Sequence, residues 1–417
     1  PSFTASGYSE LMPFVNGESG GGLVANFGAD SSFAGNKTPQ GNQDSNSVGD
    51  FYYAPPSGFL SLCTKSLPSV DVIPSENFNT VLYTGNATAR SIAGLDFQPD
   101  LTWIKARSAT YAHTLVDSIR GTGNWLESNA TAAEQTGGAP DAFNSDGFDL
   151  TTWGQVNGSG VTFVAWNWKA GGSASSNTNG TITSSVSANP SAGFSIVSYT
   201  GTGANATVGH GLSFVPTLLI VKKRASNGSD GVRSWAVYNS TLGNAQGLYL
   251  NATNAVFAAG NFWNSTTPTS SVFSIGSGTS SQETNINGDT YIAYAFHSVD
   301  SYSKVGTYVG NGNVDGPFVH CGFKPAYILA KVASSQINAA NWQIYDTARG
   351  TFNPVDDYLF ADTSGAESAS AATYFAADIL SNGFKIRAAN TYGMNQLGAT
   401  YIFLAFAETP FKFSNAR

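Results

Sequence analysis

The chain has 417 residues, room for about two to four domains with cores of their own. Only 11% of residues are charged and the net charge is −8, with no basic stretch, so no nucleic-acid-binding face is expected. No run of about 20 apolar residues and no signal peptide is present, so no membrane insertion is expected either.

With 46 glycines and 13% aromatics, the composition points to many short strands joined by tight turns. Cys63 and Cys321 are too few for a disulfide framework and read as two buried small hydrophobes. The Asn-x-Ser/Thr triplets at Asn86, Asn129, Asn205, Asn227 and Asn251 read as products of a composition rich in these residues.

Taken in order, residues 1–65 read as the end of a β-domain. Gly21 to Gly28 is a final strand, Asp30 to Asp50 is polar and turn-rich, and aromatics surround Pro55-Pro56. So short a segment does not stabilise a sandwich alone, and it is expected to complete a domain upstream or to pack on a neighbour. The start at Pro1, not Met, is what a processed or truncated piece of a longer chain would show. Residues 66–77, with Pro68 and Pro74, read as a linker.

Residues 78–170 contain Phe97-Gln-Pro99-Asp-Leu-Thr-Trp-Ile-Lys105. The pattern returns as Phe214-Val-Pro216-Thr-Leu-Leu-Ile-Val-Lys222 in residues 193–303, and as Phe323-Lys-Pro325-Ala-Tyr-Ile-Leu-Ala-Lys331 in residues 304–417. Recurrence at about 110 residues marks an internal repeat. Other landmarks keep the same order. Tyr83, Tyr199 and Tyr308 stand in Tyr-x-Gly ahead of the signature, and Asp117, Asn239 and Asp346 follow it. Gly121, Gly243 and Gly350 come next, and Gly160, Gly288 and Gly398 open a closing Gly-x-Thr-aromatic strand. Residues 171–192 read as a Gly/Ser/Thr-rich connector. Each unit holds roughly six to eight strand candidates in about 95–115 residues, the rhythm of a β-sandwich. The expected fold is therefore all-β: three tandem antiparallel sandwich repeats after a short β-rich segment.

The signature has a structural explanation. Proline lacks an N–H and starts a strand at no cost to the ladder. The phenylalanine before it anchors the sheet, contributing roughly 1.5–3 kcal/mol if buried. Consecutive apolar residues suit a strand covered on both faces. The lysine is expected to cap the strand end in solvent, with an ion pair to the downstream Asp/Asn slot worth about 0–1 kcal/mol there.

Chemistry is sparse in the sequence. His113, His210, His297 and His320 occupy different slots and form no ligand pair, and Gly209-His210-Gly211 reads as a flexible turn. No nucleophile elbow, P-loop or EF-hand spacing occurs, and Asp356-Asp357 is the only adjacent acidic pair. No catalytic residue, metal site or cofactor is therefore assigned. Trp125, Trp153, Trp263 and Tyr392 fall in loop-like stretches outside the repeat skeleton. They are the glycan-stacking candidates, with packing between repeats or subunits as the competing reading.

The strings Phe78-Asn-Thr-Val-Leu-Tyr-Thr-Gly-Asn, Gly94-Leu-Asp-Phe-Gln-Pro-Asp-Leu-Thr-Trp-Ile-Lys, Val116-Asp-Ser-Ile-Arg-Gly and Tyr345-Asp-Thr-Ala-Arg resemble a repeated β-domain of unknown function. It is found in structural proteins of tailed, mostly marine bacteriophages, and the resemblance covers about Phe78 to Phe413. Ala25-Asn-Phe-Gly-Ala-Asp and Asp50-Phe-Tyr-Tyr-Ala-Pro-Pro-Ser-Gly are similar to the end of a SPRY-like, concanavalin-like sandwich. The resemblance implies a non-enzymatic virion protein on the particle surface, a tail fibre or spike that contacts the host. A capsid-decorating head fibre and a glycan-binding or depolymerising spike stay open. Implied partners are other virion proteins, host surface glycan and copies of the chain itself, a homotrimer by analogy with phage fibres.

Overall fold

The apolar runs that follow Pro99, Pro216 and Pro325 form strands Leu101–Ala106, Leu218–Ala225 and Pro325–Val332. They belong to a computed structural model that describes residues 25–66, 70–225, 232–278, 283–334, 340–369, 376–388 and 393–408. The chain is all-β, with 39% strand and 3% helix, and divides into two units, residues 1–68 and 69–417.

In the first unit the described residues form turns, one bridge between Asn42 and Phe51, and a 3-10 turn at Thr64–Ser66. Half of the strand expected over Gly21 to Gly28 lies outside the described residues. The other half is a turn instead: Asn26 Oδ1 accepts the N–H of Gly28 at 2.7 Å and of Ala29 at 3.1 Å.

In the second unit the same sheet order occurs in three stretches of the chain. An opening strand (Phe78–Thr84, Phe194–Thr200, Ser303–Val309) pairs with a closing strand (Thr162–Trp168, Thr290–Phe296, Thr400–Ala407). The closing strand pairs with the signature strand, and that with a turn strand (Thr114–Asp117, Ala236–Asn239, Gln343–Asp346). All of these pairings are antiparallel. Smaller sheets lie beside them: Arg90–Ala93 with Gly147–Leu150 and Ala142–Asn144, Ala206–Gly209 with Val272–Ile275, and Phe318–His320 with Gly383–Ile386 and Ala377–Leu380. Gly160, Gly288 and Gly398 all have positive φ (73°, 80° and 72°) at the turn into the closing strand, a conformation glycine adopts without strain. The residue before each signature Phe is also left-handed: Asp96, Ser213 and Gly322.

The signature strands are covered on both faces, as their apolar runs imply. Alternate residues point opposite ways. Leu101 and Trp103, Leu218 and Ile220, and Tyr327 and Leu329 enter one large cluster shared by all three stretches. Ile104 and Ala106, Leu219 and Val221, and Ile328 and Ala330 enter three separate clusters, each joining a main sheet to its smaller sheet. In the shared cluster Phe406 stacks on Phe78 at 4.9 Å and meets Trp168, Phe296, Tyr302 and Tyr327 edge-on or tilted. A void of about 20 Å³ remains there, walled by Leu101, Trp168, Ile220, Phe296, Tyr327 and Leu404 among others.

Three expectations need correction. Residues 171–192 are not merely a connector: Ser175–Asn177 and Ser184–Asn189 extend the second main sheet at its opening strand. The stretch read as a linker is docked from Val72 onward, with Val72 6% exposed in the shared cluster and Pro74–Glu76 in a 3-10 turn. Phe97 and Phe323 are buried at 3% and 2%, but Phe214 is 50% exposed and stacks on His297 at 4.9 Å.

Candidate functional site

Each signature lysine was expected to cap its strand end in solvent, near the downstream Asp/Asn slot. All three are instead buried, and they donate to backbone carbonyls. Lys105 Nζ reaches Ala106 O at 2.8 Å and Ser364 O at 3.2 Å. Lys222 Nζ reaches Thr131 O at 2.7 Å and also Arg233 O. Lys331 Nζ reaches Thr253 O at 2.8 Å and also Ala340 O. Burial lowers all three below the usual 10.5, to about 8, about 7 and about 8.

Each lysine's distant acceptor lies in a different stretch from the lysine itself. The first stretch reaches the third, the second reaches the first, and the third reaches the second. Neighbouring bonds repeat the cycle. The ring of His113 bonds Phe360 O at 2.9 Å, Trp235 Nε1 donates to Glu127 O at 2.8 Å, and Trp342 Nε1 donates to Tyr249 O at 2.8 Å. The N–H groups of Glu367, Glu134 and Val256 donate to the carbonyls of Arg107, Arg224 and Ala333 at 2.7, 2.8 and 2.9 Å. These donors and acceptors stand at matching positions, so three contacts of one design close a ring.

The lysine's acceptor explains two of the Asn-x-Thr triplets. Asn129 Oδ1 accepts the His113 N–H at 2.9 Å, and Asn251 Oδ1 the Trp235 N–H at 2.8 Å. Asp362 holds the Trp342 N–H at 3.0 Å. The residue two places on, Thr131, Thr253 or Ser364, offers its carbonyl to the lysine. These two triplets therefore hold matching structural positions in the first and second stretches. Another shared feature escaped the sequence reading. Asn157, Asn285 and Asn395 precede the closing threonine by the same spacing, and their Oδ1 atoms accept the N–H groups of Asn86, Thr202 and Asn311.

Two of the three contacts are ionic. Arg107 grips Glu367, with Nη2–Oε1 at 2.7 Å, and Arg224 grips Glu134, with Nη2–Oε1 at 2.8 Å. Behind them, fully buried pairs close the turns. Arg120 Nε lies 2.5 Å from Asp117, with Tyr294 OH donating to the same carboxylate at 2.8 Å. Arg349 Nε lies 2.6 Å from Asp346, with Trp166 Nε1 donating to it at 2.9 Å. Burial alone would lower both guanidinium pKa values, but Asp117 with Tyr294, and Asp346 with Glu367, more than reverse it. At the third contact the matching residues are neutral: Ala333 and Val256, Asn239, Leu242 and Leu404. Leu404 sits in the shared cluster, with Leu242 and Val256 packed against it. The ion pair between lysine and the Asp/Asn slot is thus replaced, at two contacts, by an arginine pair that the sequence reading missed. Its visible signal was Arg120 and Arg349 at equal distance after Asp117 and Asp346.

His113 fills the slot that Trp235 and Trp342 fill elsewhere. Trp103 Nε1 donates to its Nδ1 at 2.8 Å, so Nδ1 accepts and Nε2 carries the proton given to Phe360 O. Burial, with Lys105 nearby, lowers its pKa to about 3. His210 is not in a flexible turn: it is fully buried, its Nδ1 accepting the Leu212 N–H at 3.2 Å. Cys321 is buried as expected, whereas Cys63 is exposed.

Of the aromatic candidates, Trp125 and Trp153 come together, their rings 4.6 Å apart and tilted by 43°. Both are half-buried; Trp125 Nε1 donates to Gly137 O at 2.9 Å, and Trp153 lies against Gly138. Trp153 also packs against the core of the first stretch, which leaves the pair as a partly exposed aromatic shelf. Trp263 is 1% exposed and packs on Tyr238 and Phe262, so it offers no face to a ligand. Tyr392 lies outside the described residues. Asp357 opens the strand Asp357–Phe360 and Asp356 precedes it; burial, with Glu367 and Asp356 nearby, raises the Asp357 pKa. Among the described residues no three His, Cys, Asp or Glu side chains are grouped to hold a metal.

Residues 73–410 match a family described as a domain of unknown function (DUF7483), a span that takes in all three stretches. No curated protein matches the chain.

Proposed function

The chain belongs to the DUF7483 family of domains of unknown function, and from that premise we propose that it is a non-enzymatic structural protein of a bacteriophage virion, a tail fibre or spike projecting toward the host. In this reading the three stretches are tandem β-sandwich repeats closed into an internal threefold ring. The observation that carries it is the cyclic set of lysine-to-carbonyl bonds from each stretch to the next. A ring locked by buried polar contacts resists shear and local opening, which is what a projecting virion part requires. The wording shared with phage structural repeats supports the same reading, and extends it to residues 1–65 as the end of a SPRY-like sandwich. Homotrimeric assembly is proposed from the fibre analogy. A chain with its own threefold geometry could instead act singly, and sedimentation of the purified chain separates the two.

The test is localisation. Antibody raised against the chain should label intact particles at a defined place, the tail for a fibre or spike and the capsid for a head fibre. Purified particles without the chain would overturn the proposal. The Trp125–Trp153 shelf favours a second reading, host glycan binding, because tilted indoles at 4.6 Å offer apolar faces for sugar rings. A glycan array comparing the parent with a Trp125→Ala, Trp153→Ala variant tests it; equal signals from both would remove the shelf as a receptor site.

A further inference from the structure

In each stretch a gap opens between the two sheets beside the opening strand, and each closes it differently. In the first, Arg90 crosses the gap, its guanidinium 5.8 Å over the Tyr83 ring and bonded to Thr84 O. In the second, Ser184–Asn189 pairs along Phe194–Thr200, Ile182 bridges to Val208, and Ile182 and Val186 enter the core cluster. In the third, Gly306 stands where the second has Val197, and the Phe403 ring leans over it where the second has Ala293.

The ring fills only part of the gap. A groove of about 440 Å³ remains between Ser303–Val309 and Phe318–His320, lined by Lys304, Gly306, Thr307, Val309, Phe318 and His320 among others. Phe318 is 45% and Val309 56% exposed. Ala407 N–H donates to Tyr302 O, and Gly310 N–H to Ala399 O. Backbone groups alternate sides in an antiparallel ladder, so Thr307 and Val309 turn their N–H and C=O groups outward. Past Val305, whose N–H is held by Ser298 Oγ, no strand among the described residues meets them. Lys304 has no ion-pair partner among the described residues.

We propose that this groove accepts an extended strand from a partner protein, paired antiparallel to the open Gly306–Val309 end of the opening strand. The second stretch supplies the template. Val186 sits opposite Val197, the slot of Gly306, and Ala188 sits opposite Ser195, the slot of Lys304. The guest strand therefore carries a β-branched apolar residue opposite Gly306 and, two residues on, an acidic residue within reach of the Lys304 side chain. This inference does not depend on the virion reading.

The test uses the full chain and a labelled synthetic peptide copying residues 178–190 with Ala188→Glu. Saturable binding is expected, with hydrogen exchange at Thr307 and Val309 slowed by about tenfold or more. Thr307→Pro removes only an outward donor, a change that an edge strand accepts without losing a ladder bond, and Phe318→Asp changes a half-exposed ring that lines the groove beside His320. Each should weaken the peptide by about tenfold or more, roughly 1.4 kcal/mol. Absence of saturable binding at millimolar peptide, or binding indifferent to both substitutions, overturns the proposal. Protection of the same amides that grows with protein concentration without peptide would assign the edge to a second copy and overturn the partner strand.

Discussion

His113 and the signature lysines place ionisable side chains where their charged forms are penalised, so pH reads them directly. The His113 pKa is about 3 when folded and about 6.5 when exposed. Between those values the unfolded chain binds a proton that the folded chain refuses, so this contribution to stability falls as pH drops below 6.5. His113→Ala should cost about 1–3 kcal/mol at neutral pH, because Trp103 Nε1 and Phe360 O lose their partner. It should lose less than the parent on acidification, and parallel denaturant midpoints from pH 7 to pH 4 (approximate limits) would sink the assignment. The lysines act at the other end of the scale. With folded values of about 8, 7 and 8 against 10.5, the unfolded chain holds protons that the folded chain has released. Stability should therefore rise from about pH 7 toward pH 10, until the buried tyrosines, raised by burial, reverse the sign. Lys222→Met should flatten part of that rise in urea titrations and cost about 1–3 kcal/mol at pH 7 through the stranded Thr131 and Arg233 carbonyls.

Strands meet through contacts that changed character together. At two contacts Arg, Glu and Asp occur as sets. At the third, Ala333, Val256, Asn239, Leu242 and Leu404 stand in their places. Removing one member of a buried ionic set strands its partners, whereas replacing the set with packed apolar groups does not. Glu134→Val alone strands Arg224 and takes one of two carboxylates from Arg120, and should cost about 3 kcal/mol. Adding Arg224→Ala, Arg120→Leu and Asp117→Asn, to copy the third contact, should recover part of that loss. Strictly additive costs in calorimetry would show that the residues do not act as a set. The signature strands were readable because a continuous apolar run has few other uses in an all-β chain. Phe214 was misread because Phe-x-Pro fixes the local chain path and not what lies against the ring, here His297 and solvent.

Across residues 70–408 the three stretches share one core, so they are not independent beads. Phe406 touches rings from all three, and Phe406→Ala should cost about 3–5 kcal/mol. Calorimetry of this unit should give a single transition with matching van't Hoff and calorimetric enthalpies. Separate transitions for the three stretches would contradict a shared core. A stretch expressed alone, such as residues 171–303, should expose Ile220, Tyr294 and Phe296 and bind a hydrophobic dye.

By itself the sequence determined the all-β class, the three signature strands and the turns that bound them, because these follow from local stereochemistry: proline without an N–H, glycine at positive φ, apolar runs of strand length. Only the tertiary structure decided where the lysines point, which residues close the ring and which tryptophans stay half-exposed. Lys105 meets Ser364 across 259 residues, and its acceptor is a carbonyl that every residue possesses. No side-chain pattern marks a backbone acceptor, and so the contact that closes the molecule exists only once the strands are in place.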